Sequence, residues 1–539
     1  MKKSKLLFFI FSIIILHFLT GCSKFHLPEQ VSLDSGLVTG VPGRNPFIMV
    51  FKGIPYAAPP VGDLRWKPPQ PVIPWTDVKV CDIFGPSAIQ QAQAPFMCWS
   101  TEFIIDTSLG YNEDCLTLNV WTDRESTDGK RPVLVFIHGG AYTTGGSSCE
   151  IYDGEELAKK GVVVVTINYR VGIFGFFAHP DLSEESENGV SGNYGILDMI
   201  AALKWVQNNI SAFGGDPNNI TIQGQSAGSS AVHVLTISPL AKGLIHRAIA
   251  QSYNLLTSNL RTLKEMEEAG KALAIVDNNN TPMDPRDDKV IEPFGTKTPA
   301  EMRSMSAEKI LTLSYPSAPN IDGYVLIGSM LETLKEGGQN DIPLITGMVT
   351  GDARLFGGSS AALEQYRKNA ETKYGDLADE FLTIYPAEND EEATIQNRVS
   401  AIDNNNVLGY FLAMARALYG KSDTYIYYFT HVMPGPESDT WGAFHTADVP
   451  YGFNNFSQLR ANYWTQLDYN LGETMSSYFV HFARTGNPNG QELPEWPAYQ
   501  EGKLQFMELG DTITPFSLPQ KKADFWEAYY TKTLDLDEK

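Results

Sequence analysis

Asn219-Ile220-Thr221-Ile222-Gln223-Gly224-Gln225-Ser226-Ala227-Gly228 runs from β-branched residues into a serine flanked by glycines. The first half reads as a strand. Ser229-Ser230-Ala231-Val232-His233-Val234-Leu235, just beyond it, reads as a helix. A serine at a tight strand-to-helix turn projects its hydroxyl into the open, where a hydrolase keeps its nucleophile. Gly224 and Gly228 supply the room that such a bend needs. The helix N-terminus behind Ser226 offers unpaired N–H groups to a developing negative charge.

Outward from that turn, the pattern is strands alternating with helices. Residues 133–137 and 162–167 are continuous, largely β-branched apolar runs, which suit strands buried on both faces of a sheet. Further strands are expected at residues 47–50, 117–121, 247–250, 342–346 and 424–429, and a turn-rich loop at 53–60. Residues 152–160 read as a helix, as do residues 192–212, where Ile196, Leu197, Ile200, Leu203 and Val206 recur at helical spacing. Such alternation implies an α/β fold with a mostly parallel central sheet flanked by helices. Residues 276–299 are polar and acidic and read as a solvated loop rather than a cation site.

The 539 residues are 43% hydrophobic, ample for a large core, and no linker-like segment divides them. A net charge of −22 argues against nucleic acid or an anionic membrane surface as a partner. Lys2, Lys3 and Lys5 precede a short apolar run that ends in Leu19-Thr20-Gly21-Cys22. A basic start, an apolar core and small exit residues make a secretory signal. Its close resembles the bacterial lipoprotein signal, whose cysteine is lipidated and becomes the new N-terminus. Residues 1–21 are thus expected to be a leader and 22–539 a single domain, anchored through Cys22 in the bacterial cell envelope. An ordinary signal peptide or an uncleaved anchor is the alternative. Export admits disulfides, and a bridge across the short Cys98–Cys115 loop would contribute ~3 kcal/mol. Whether Cys81 and Cys149 pair is not decided by their spacing, and no cysteine has metal-ligand spacing.

A serine hydroxyl needs a base to take its proton and an acid group to orient that base. His445 lies in the loop Gly442-Ala443-Phe444-His445-Thr446-Ala447-Asp448, after a strand, and is the candidate base. His233 and His246 follow the serine too closely, while His431 and His481 read as packed or surface residues. Asp352 is the first carboxylate after the strand at 342–346; a surface turn aspartate reads equally well at this point. His138-Gly139-Gly140-Ala141-Tyr142 directly follows a strand, so the N–H groups of Gly140 and Ala141 can join that of Ala227 around an oxyanion. This chemistry calls for no metal and no organic cofactor.

With these residues in view, the chain resembles the type-B carboxylesterases, the cholinesterase-like branch of the α/β-hydrolases. The nucleophile signature corresponds to residues 213–228, and a second signature to Glu113-Asp114-Cys115-Leu116-Thr117-Leu118-Asn119-Val120-Trp121. The similarity extends through Gly53-Ile54-Pro55-Tyr56-Ala57, Asn168-Tyr169-Arg170-Val171-Gly172 and residues 482–490, in order along nearly all of the mature chain. It implies the α/β-hydrolase fold, the acid at Asp352 five residues after a strand-ending glycine, and the base at His445. It also implies a Cys98–Cys115 bridge and structural ion pairs joining Arg65 to Glu113 and Arg170 to Asp198. Most members carry glutamate where Asp352 stands, and Gln225 replaces the usual glutamate beside the nucleophile. The choline-binding tryptophan of the cholinesterases has no counterpart, since Ile104 and Ile105 occupy that part of the loop and Trp99 lies at its far end.

The resulting expectation is a serine carboxylic-ester hydrolase acting on small to medium neutral esters through an acyl-enzyme. Alternatives are a binding or adhesion domain on the same fold, or cleavage of a carbamate, thioester or amide bond. Oligomeric state, acyl group and alcohol group are not legible.

Overall fold

The computed structural model describes residues 25–126, 130–277, 289–353, 360–436 and 438–536. The leader, Cys22 and the acidic run at 278–288 lie outside the described residues. Among those described, eleven strands form the central sheet: β1 (Val41–Pro42), β2 (Ile48–Pro55), β3 (Thr117–Asp123), β4 (Arg131–Ile137), β5 (Val163–Ile167), β6 (Gly215–Gln225), β7 (Arg247–Gln251), β8 (Leu344–Val349), β9 (Thr424–Phe429), β10 (Gln505–Leu509) and β11 (Ile513–Ser517). They are ordered β11-β10-β9-β8-β7-β6-β4-β5-β3-β2-β1. Strands β5, β4 and β6 to β10 are mutually parallel, and antiparallel pairs close both edges. This is the mostly parallel α/β-hydrolase sheet expected from the sequence.

The apolar runs behave as their period-two geometry requires. Val133, Val135 and Ile137 of β4 face one core, while Leu134 and Phe136 face the other. The first core is covered by α1 (Tyr194–Asn209), α2 (Ala227–Ile237), α3 (Asp390–Tyr419) and α5 (Gln520–Leu534). The second is covered mainly by α4 (Gln466–Thr485), through Leu471, Met475, Phe479 and Phe482. Register then fixes where chemistry can occur. Ile137 pairs with Gly224, Gln225 with Gln251, and Gln251 with Gly347. The carboxyl ends of β4, β6, β7 and β8 therefore finish level on one edge, where open α/β sheets build their sites.

Several expectations change on contact with the structure. β2 runs on through Ile54 and Pro55, where a loop was expected, because an irregularity at Lys52-Gly53 absorbs the turn signal and Gly53 takes φ 69°. The polar segment expected to be a loop contains an antiparallel pair, Ala274–Asp277 with Lys289–Pro293. β8 extends to Val349, two residues past the glycine read as its end. No Cys98–Cys115 bridge is present, and Cys81 and Cys149 are not bridged to each other. Both thiols are buried, Cys115 in the first core and Cys98 in the second. The ion pairs do form: Arg65 Nη2 lies 2.5 Å from Glu113, and Arg170 Nη2 lies 2.7 Å from Asp198.

Candidate active site

Ser226 closes β6 and opens α2 with φ 60° and ψ −122°, a backbone conformation that costs an L-residue strain energy. Its N–H is held by the Gln251 carbonyl at 2.9 Å, which ties the turn to β7. The glycines on either side are sterically obligatory. A Cβ on Gly224 would stand 2.3 Å from the Gly228 carbonyl oxygen, and one on Gly228 would stand 2.0 Å from that of Ile137. The helix start is thereby pressed against the end of β4.

Three residues from three loops meet at this turn. His445 Nε2 lies 2.7 Å from Ser226 Oγ, and His445 Nδ1 is in close hydrogen-bond contact with Asp352 Oδ1. The other Asp352 oxygen accepts the Val349 N–H at 3.1 Å. The Asp352 loop is seated on the His445 loop, since the Gly351 N–H donates to the Ala443 carbonyl at 2.7 Å. Asp352 is fully buried and His445 nearly so, whereas Ser226 remains half-buried. Gln225 adds a tether from behind, its amide donating to the His445 carbonyl. An ionised glutamate, being an acceptor only, could not make that bond.

The peptide units around Ser226 are oriented by where their carbonyls go. The Gly139 carbonyl takes a hydrogen bond from His138 Nδ1 at 2.8 Å. The Gly140 carbonyl takes the N–H groups of Thr143 and Thr144 at 2.9 and 3.0 Å, and the Ser226 carbonyl takes that of Ser230 at 2.9 Å. In a trans peptide the N–H points opposite to the C=O. The N–H groups of Gly140, Ala141 and Ala227 are therefore turned away from the protein groups that hold their carbonyls. The same loop touches the Ser226 turn, for a Cβ on Gly139 would lie 3.0 Å from Ser226 Cβ. His138 stacks on Tyr169 at 4.2 Å, and burial pulls its pKa down to about 4, so it stays neutral and donates from Nδ1.

Behind the site lies a polar network that reading the sequence missed. Gln223 donates to Gln251 at 2.7 Å, Gln251 donates to Asp448 Oδ2 at 2.9 Å, and Tyr427 donates to the same oxygen at 2.6 Å. The available signal was the placement of amides at the buried ends of apolar strands, with an aspartate three residues after the candidate base. Of the histidines set aside, His233 is buried on α2. His431 is held between Asp468 at 2.9 Å and Asp511 at 2.6 Å.

The profile of the carboxylesterase family matches residues 28–526. Fumonisin B1 esterase of Sphingopyxis macrogoltabida is 36% identical over 493 residues, covering 89% of this chain and 86% of its own. Carboxylesterase 1E of Mus musculus is 32% identical, with 96% of each chain covered. Among solved structures, a PNB esterase aligns with TM-score 0.73 at 29% identity, covering 92% of this chain and 99% of its own. A Geobacillus stearothermophilus carboxylesterase aligns with TM-score 0.72 at 32% identity, covering 93% and 100%. On the sequence signatures, the sheet and these likenesses together, the chain belongs to the carboxylesterase family.

Proposed function

We propose that this carboxylesterase cleaves small to medium neutral esters through an acyl-enzyme on Ser226, with His445 as base, Asp352 as its orienting acid, and an oxyanion hole of Gly140, Ala141 and Ala227. The observation that carries the proposal is the unbroken hydrogen-bond chain Ser226–His445–Asp352. As Ser226 Oγ attacks the ester carbonyl carbon, its proton passes to His445 Nε2. Asp352, shielded from water, holds the imidazole in the tautomer that leaves Nε2 free to accept, and then balances its charge. The carbonyl oxygen becomes an oxyanion beside the three outward N–H groups, where each donor lost costs about 10²–10³ in rate. Collapse breaks the bond to the alcohol oxygen, which takes the proton from His445. Water then repeats the sequence and releases the acid.

Neutral esters fit two features. Gln225 leaves no carboxylate beside the nucleophile, and a net charge of −22 repels anionic substrates at a distance. Hydrolysis of a short-chain nitrophenyl ester by residues 23–539 and by the same protein carrying Ser226→Ala tests the proposal. The variant is expected to lose at least ~10³-fold in kcat/KM. Equal rates would remove Ser226 from the mechanism.

A further inference from the structure

We propose that Gln251 is a positioning residue that sets Ser226 and His445 at reacting distance, gripping the serine turn with its main chain and, through Asp448, the histidine loop with its side chain. The proposal rests on the Ser226–His445 reading above. Gln251 ends β7, in register with Gln225 of β6 on one side and Gly347 of β8 on the other. Its carbonyl takes the N–H of Ser226, the residue held at φ 60°, at 2.9 Å. Ser252 extends the grip towards the acid, its N–H donating to the Gly347 carbonyl at 2.8 Å. The backbone at 251–252 thus joins the strand that ends at Ser226 to the strand that leads to Asp352.

The side chain reaches the other way. Gln223, Gln251, Tyr427 and Asp448 are all buried. An ionised carboxylate only accepts, so the Gln251 amide nitrogen must face Asp448 Oδ2, at 2.9 Å. Its oxygen is left to accept the Gln223 amide at 2.7 Å. Asp448 stands three residues beyond His445 in a tightly wound coil. There the Ala447 N–H donates to the Phe444 carbonyl at 2.8 Å, and the Val449 N–H to that of Thr446 at 3.2 Å. A shift of Asp448 therefore carries His445 with it.

Two amides hold this coil at different points. Gln225 grips the His445 carbonyl, and Gln251 grips Asp448. Because Gln251 holds Ser226 and Asp448 at once, one residue fixes how far the hydroxyl lies from the imidazole. Proton transfer between them tolerates little error, since a misplacement of ~1 Å can cost about 10²-fold in rate.

The test compares hydrolysis of nitrophenyl butyrate by the parent, by Gln251→Met and by the double variant Gln251→Glu/Asp448→Asn. Methionine keeps the length of the side chain but donates no hydrogen bond. The double variant exchanges donor and acceptor: the new carboxylate accepts from the new amide and from Gln223, while the new amide's oxygen accepts from Tyr427. Net charge and all three bonds of the network are preserved. Rates are compared where denaturant unfolding shows each protein folded. Gln251→Met is expected to lower kcat about 10- to 100-fold with KM changed less than about twofold, because both halves of the reaction pass protons through His445. The double variant should stay within about fivefold of the parent. Unchanged kcat in Gln251→Met, a loss through KM alone, or a double variant as slow as Gln251→Met would overturn the proposal. Should Gln251→Met fail to fold, the double variant decides: turnover near the parent's supports the proposal, and its loss overturns it. The Ser226→Ala protein separates the two levels: if it hydrolyses the ester as the parent does, the catalytic reading fails whatever Gln251 does.

Discussion

A carboxylate removed from water must be compensated by hydrogen bonds, and Asp448 has two on one oxygen and none, among the described residues, on the other. Burial pushes its carboxyl up to about 6; the Tyr427 and Gln251 bonds pull it back, Asp352 adds a like charge, and His445 opposes that charge. Because the folded-state pKa is raised above the ordinary 3.8, the folded protein holds this proton more tightly than the unfolded chain does. The stabilisation is complete below pH ~4 and is lost as pH rises through about 6, a change on the order of 2–3 kcal/mol. Asp448→Asn removes that titration. Denaturant unfolding of parent and variant from pH 4 to 7 should show their difference shifting steadily in the variant's favour; a difference independent of pH would contradict the assignment. Ser226 and His445 were legible as residues because each sits in a loop signature next to a strand. Asp352 was not separable from a surface aspartate until the resemblance was invoked, because its role depends on a histidine 93 residues away. At Gln225 the loss of charge was legible; the bond from its amide to the His445 carbonyl was not, since it spans 220 residues.

At the scale of elements, the edge that carries the candidate site depends on how closely α2 approaches β4. Gly228 is where they touch, and an alanine there must displace either the helix start or the Ile137 carbonyl. Gly228→Ala is expected to cost about 2–3 kcal/mol in denaturant unfolding and to lower kcat/KM as well, because Ala227 and the Gly139–Gly140 loop flank the same serine. A variant within ~0.5 kcal/mol of the parent and fully active would show that this contact is soft. The buried strands were readable in advance because parallel strands covered on both faces leave long apolar runs. Punctuating residues misled in one place: Gly53 and Pro55 signal a turn, yet the sheet uses the glycine for a bulge and continues. The pairing of Ala274–Asp277 with Lys289–Pro293 was hidden for a different reason, since polar composition around it outweighs a few β-branched residues.

Across the whole molecule, the same edge gathers a serine from the end of β6, a carboxylate from just beyond β8 and a histidine from the loop after β9. Family resemblance along nearly the entire chain made that assembly foreseeable, but it also implied a Cys98–Cys115 disulfide that the structure does not contain. A family-like spacing of cysteines says that two thiols exist, whereas bridging depends on three-dimensional geometry that spacing does not carry. On the proposed mechanism, Ser226 carries the acyl group between the two halves of the reaction. Acid-quenched mass spectrometry during turnover of nitrophenyl butyrate tests it most directly. A butyryl adduct on the peptide containing Ser226, absent from the Ser226→Ala protein, is the predicted result. An adduct on any other residue, or persistence of the adduct in the variant, would contradict it.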